Sequence, residues 1–153
     1  MRDREIPFGW HWADEAEETV KLTLDPQITH TGAFSLQLLW AGNLNIAIPV
    51  ISQLFVVEPQ RRYQLQFAAR SQEVVSGGMP LIAIVDAQDA ASGLLGVSEI
   101  LPRNSGGWRN FTVEFTTNPN TTAVRLFLRR QCKTDLCPIY GQVWLDDFVV
   151  RQM

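Results

Sequence analysis

The side chains able to do chemistry here are few, and their spacing favours binding over bond-making. Carboxylates pair at Asp86 with Asp89 and at Asp146 with Asp147, besides the Asp14–Glu18 cluster. Such pairs can serve general acid–base work, but the only histidines, His11 and His30, are far apart in sequence. The run Gly96-Val97-Ser98-Glu99-Ile100 lacks the closing glycine of a hydrolase nucleophile elbow. No H-E-x-x-H zinc helix, P-loop or dinucleotide fingerprint occurs. Asp86 and Asp89 read as the edge of a solvated loop. Nothing compels an enzyme, and the expectation is a non-catalytic chain.

Cys132 and Cys137 lie in QCKTDLCPIYG with four residues between them. Zinc takes about four Cys or His ligands, and the distant histidines do not complete such a set. The pair therefore reads as a disulfide of an oxidising compartment or as two packed, reduced thiols. Two glycosylation sequons, at Asn110 and Asn120, matter only in a host that glycosylates exported chains.

Aromatic and planar polar groups stand out instead. There are five tryptophans, and eleven of the thirteen basic residues are arginine. Sugars offer C–H faces that stack on rings, and hydroxyls that suit Arg, Gln, Asn and carboxylates. Two kinds of site are open to such groups. A sheet face bearing Gln53, Gln64, Gln66, Arg70, Arg125 and Arg129 would suit a glycan. Its leading candidates are Gln53, Gln66, Arg70 and Arg129, with Glu99 accepting from hydroxyls. A rim site would use Trp10, Trp12 and Tyr140, which sit in or beside expected loops. The sheet face is preferred, because it gathers planar polar groups from different strands.

The elements that must position these groups are strands. Apolar residues alternate with polar ones along 34–40, 63–70, 111–116, 124–129 and 143–149, and shorter or more apolar strands fit 19–24, 50–57, 80–86 and 94–101. Along the last of the alternating set, Val143, Leu145 and Val149 are expected inward, with Trp144, Asp146 and Phe148 outward. Turn residues separate the strands at Asp25-Pro26, Thr31-Gly32, Gly42-Asn43, Glu58-Pro59 and Asn118-Pro119-Asn120. About nine strands at such spacing predict an all-β, two-sheet antiparallel sandwich or barrel. Ala13 to Glu18 is the one helix-friendly stretch, short and acidic. The chain has 153 residues, 46% hydrophobic and 19% charged, which is the size and composition of a single folded domain over 1–153. A net charge of −3 argues against nucleic acid as a partner. No apolar run is long enough to span a membrane.

The ordered segments GWHW, HTGAFSLQL, ISQLFVVEPQRRYQLQFAARS, the Trp108–Thr117 strand, AVRLFLRR and VWLDDFVV resemble carbohydrate-binding modules associated with xylanases and cellulases. The resemblance covers about residues 7–151 and implies a galactose-binding-like β-sandwich, or jelly roll. It implies a non-catalytic module for oligosaccharide or polysaccharide, accessory to other domains of a longer protein. The alternative is a protein-interaction or structural jelly roll without glycan affinity. The compartment stays open: extracellular or cell-surface for a piece of an exported chain, cytoplasmic otherwise. The family opens with a strand bearing a glutamate, and here that strand is expected to be truncated or absent. The resemblance also implies a structural calcium, matched by Asp146, with Asp147 beside it, and by the His30–Gly32 turn.

Overall fold

The computed structural model describes residues 3–6, 9–13, 19–45, 50–89, 93–134 and 136–153. Of the helix-friendly stretch, Ala13 ends a strand and 14–18 lie outside the described residues. The strands are β1 (Asp3–Ile6), β2 (Trp10–Ala13), β3 (Val20–Asp25), β4 (Ser35–Asn45), β5 (Ile51–Val56) and β6 (Arg62–Ser76). They continue with β7 (Pro80–Asp86), β8 (Leu94–Val97), β9 (Arg109–Thr116), β10 (Ala123–Arg130) and β11 (Leu136–Gln152). They form a six-stranded sheet in the order β1-β2-β5-β10-β7-β8 and a five-stranded sheet in the order β3-β4-β11-β6-β9. Every pairing is antiparallel. The expected strands are present, and β1 and β2 join them. A short strand of four residues precedes the Gly-Trp segment and pairs with it, where a truncated or absent strand was expected.

Alternation makes the two layers. Val124, Leu126 and Leu128 of β10 and Tyr63, Leu65, Phe67 and Ala69 of β6 point into one shared core. Phe67 lies at its centre, its ring stacked 5.1 Å from Phe111 and 4.9 Å from Phe148. Burial on this scale is worth about 1.5–3 kcal/mol per large apolar side chain. Because the inward sets face each other, the intervening residues of β10 and of β6 lie on opposite outer faces of the sandwich.

Two irregularities in β11 set the shape of this long strand. At Gly141, with φ 116°, the register with β6 shifts, and an added Cβ would clash with the Glu73 carbonyl oxygen. The second shift falls between Asp146 and Val149, where Asp147 takes φ 57°. This bulge inverts the expected phase. Phe148, expected outward, turns inward against Phe67 and Trp10, and Val149, expected inward, is exposed.

Cys132 and Cys137 form a disulfide across the connection that leads from β10, in the six-stranded sheet, into β11, in the five-stranded one. Beside them Arg130 is buried and donates to the Cys137 carbonyl oxygen at 2.9 Å. Among the described residues no helix is long and apolar enough to cross a membrane.

Candidate functional site

The outer face of the six-stranded sheet is set by the register of β10. Arg125 lies between Leu54 of β5 and Val85 of β7, Phe127 between Ser52 and Ala83, and Arg129 beside Leu81. Ser52, Leu81, Ala83 and Val85 are buried, although they belong to the outward set. They form a low floor from which the half-buried Arg125, Phe127 and Arg129 rise. His11 continues the Phe127 row, opposite Ser52. Neither Arg125 nor Arg129 has a hydrogen-bond or ion-pair partner among the described residues. Their donor forks are free for a ligand.

The outer face of the five-stranded sheet is also rich in planar polar groups, and those of β3, β4 and β11 are engaged with one another. Thr23 donates to Gln37 Oε1 at 2.9 Å, and Gln37 donates to Gln142 Oε1 at 2.8 Å. The Trp144 indole N–H reaches Asp25 Oδ2 at 2.9 Å, and the Arg70 guanidinium lies 5.6 Å over the Trp144 ring. Trp144 is 2% exposed although it points away from the core. The Gln27 amide and then the Trp144 indole hold the Asp25 carboxyl below its ordinary value.

The residues expected to share one sheet face are therefore dispersed. Arg129 stands on the six-stranded face with Arg125, whereas Gln64, Gln66 and Arg70 stand on the opposite one. Glu99 is exposed just beyond β8, and Gln53 points inward from β5 to line a rim cavity. Trp10 and Trp12, expected as exposed rim aromatics, are buried at 4% exposure each. Tyr140 is exposed, on the five-stranded face between Ala41 and Val75. Phe127 was missed as a site residue, although its place between two arginines, opposite the apolar phase of β10, is visible in AVRLFLRR.

The rim cavity, about 490 Å³, opens between the sheets where β2, β5 and the β11 bulge meet the turn before β4. Its polar side is a carboxylate pair that pins this turn. Asp146 Oδ2 accepts the backbone N–H groups of His30 at 3.0 Å and Thr31 at 3.2 Å, and Oδ1 accepts the Asp147 N–H at 2.9 Å. Asp147 accepts from His30 Nδ1 at 2.6 Å and from the Thr31 hydroxyl. Burial works against ionisation of Asp147, but the Thr31 and His30 hydrogen bonds and the adjacent His30 outweigh it, so its carboxyl lies below the ordinary value.

This arrangement does not fit the calcium implied by the sequence resemblance. The ion takes about six to eight oxygen ligands. Here the His30–Gly32 turn offers Asp146 N–H donors, and both carboxylates are already turned toward the turn. Gly32 supplies a left-handed φ of 71° that the turn requires. Among the described residues no three His, Cys, Asp or Glu side chains converge as a metal set. Hydrogen bonds make the link between turn and final strand.

No family model and no curated protein matches the chain. Solved structures do. The tandem CBM22-1–CBM22-2 domains of Paenibacillus barcinonensis Xyn10C superpose with a TM-score of 0.65 at 14% identity, over 98% of this chain and 43% of theirs. TmCBM61 in complex with β-1,4-galactotriose gives a TM-score of 0.61 at 14% identity, over 97% of this chain and 91% of that one. The enzymatically active domain of bacteriophage CBA120 tailspike protein 4 gives 0.63 at 16% identity, over 97% of this chain, which spans only 20% of the tailspike chain. The chain is thus an all-β, two-sheet jelly roll with the fold of the carbohydrate-binding modules, as its ordered motifs implied.

Proposed function

We propose that this chain is a non-catalytic module that binds an oligosaccharide or polysaccharide across the outer face of its six-stranded sheet. One observation carries the reading: Phe127 stands between two uncommitted arginines, Arg125 and Arg129, over a floor of Leu81, Ala83 and Val85. Along β10 these side chains cover about 13 Å, room for more than one sugar ring. Phe127 supplies a ring for C–H stacking, and the arginines donate paired hydrogen bonds to hydroxyl or carboxylate oxygens. The solved neighbours support the reading, since CBM4, CBM22 and CBM61 structures are described as carbohydrate-binding modules and TmCBM61 was solved with a galactotriose.

The same face exposes Leu54, Val56, Leu94 and Val97, which favours a second reading, a protein-docking surface without glycan affinity. A glycan array on the purified protein, followed by calorimetric titration of a responding oligosaccharide, separates the two. Binding that weakens on Phe127→Ala supports the glycan reading. A protein that retains no glycan on the array transfers the face to the second.

A further inference from the structure

The rim cavity has chemistry opposite to that of the six-stranded face. Its apolar wall contains Trp10, Phe148 and Phe34, and its polar wall contains Gln53, Asp146 and Asp147. Among the described residues, no arginine or lysine lines it. Its volume of about 490 Å³ falls within the range of small-molecule sites, about 300–1,000 Å³. Phe34, in the turn just before β4, is 43% exposed and lines the cavity, so its ring is available at the mouth. The bulge that gives Asp147 its left-handed backbone is what brings Phe148 and two carboxylates to the same rim.

We infer that this cavity is a second binding site, for a sugar unit that carries a free ammonium group. Aromatic rings attract a cation through their negative faces, and carboxylates hold it by charge-assisted hydrogen bonds. The Asp146 and Asp147 carboxylates line the cavity while accepting protein donors, and a carboxylate oxygen can accept more than one hydrogen bond. The saturated ring of a hexosamine fills the apolar side, and Gln53 meets its hydroxyls. A uronic acid is repelled, because it would bring a third carboxylate to a wall that, among the described residues, has no arginine or lysine.

The inference deepens the glycan reading by naming a substituent, and it uses a different surface, so each can fail alone. Glucosamine, N-acetylglucosamine, glucose and glucuronic acid are titrated in turn against the protein in mildly acidic, low-salt buffer, followed by protein NMR. Glucosamine should bind at least about tenfold more tightly than the other three, with shifts at residues 31–36 and 145–148 and weakening as salt rises. Phe34→Ala should reduce its affinity at least about fivefold while leaving oligosaccharide binding at the β10 face unchanged. Asp147→Asn should abolish the preference over glucose. Its melting temperature is read alongside, and Phe34→Ala stands as the test if that variant unfolds. Equal affinity for glucosamine and N-acetylglucosamine, or no shifts at the cavity, overturns the inference and leaves the β10 face untouched.

Discussion

Both outer faces of the sandwich present arginine beside an aromatic ring, but in opposite states of engagement. On the five-stranded face, Thr23, Gln37 and Gln142 form a hydrogen-bonded row, Trp144 is tied to Asp25, and Arg70 lies over the Trp144 ring. On the six-stranded face, Arg125 and Arg129 flank Phe127 with no partner among the described residues. An arginine beside an aromatic ring is thus part of a packed network on one side and open binding capacity on the other. What separates them is where each donor goes, which composition does not record.

Substitutions should affect the two faces in different ways. The largest effect is expected from Trp144→Ala, which removes a buried ring, one of the donors to Asp25 and the surface beneath Arg70. Chemical denaturation should show a loss of about 3–5 kcal/mol, the usual cost of truncating a large buried aromatic. Arg129→Ala should change stability by no more than about 0.5 kcal/mol, as expected of a surface side chain with no partner. Equal destabilisation by both substitutions would erase the distinction.

Acid should act on the carboxylates that accept hydrogen bonds. The carboxyls of Asp25, Asp86 and Asp147 all lie below their ordinary value of 3.8, Asp86 through the Gln88 amide and then the Thr121 hydroxyl. The folded chain therefore binds fewer protons than the unfolded chain in this range. The stabilisation is complete above the ordinary value and is lost as pH falls through the lower folded values. Melting temperature should fall below about pH 4, and Asp25→Asn should flatten part of that fall. Unchanged pH dependence in that variant would remove Asp25 from the network. The smallest effect concerns the turn. Calcium added to chelator-treated protein should leave the melting temperature unchanged, because binding linkage needs a site that fits the ion. A rise that Asp146→Ala abolishes would show that the His30–Gly32 turn rearranges to hold calcium.

Much of this was legible from alternation. The inward sets of β6, β9 and β10, and the outward position of Phe127 between two arginines, follow from a period of two in YQLQFA, FTVEF and AVRLFLRR. Which sheet each strand joins was not legible. Arg70 and Arg129 both oppose the apolar phase of their strands, yet their strands belong to different layers and the two residues point away from each other. Phase also fails across a bulge: nothing in Leu145-Asp146-Asp147-Phe148 announces the extra residue that turns Phe148 inward. Trp10 and Trp12 read as loop aromatics because β2 is only four residues long, too short for alternation to declare itself. The ordered motifs did carry the jelly roll, since order along the chain constrains topology more than any single motif does.

The most direct test of the contrast is a paired titration. An oligosaccharide that responds on a glycan array is titrated against the unmutated protein, Arg129→Ala and Arg70→Ala by calorimetry. A hydrogen bond to a charged group is worth about 1.5–3 kcal/mol, so losing Arg129 should weaken binding by about tenfold or more. Arg70→Ala, on the engaged face, should bind as the unmutated protein does. Loss of binding in Arg70→Ala with full affinity in Arg129→Ala would place the ligand on the five-stranded face and contradict the account.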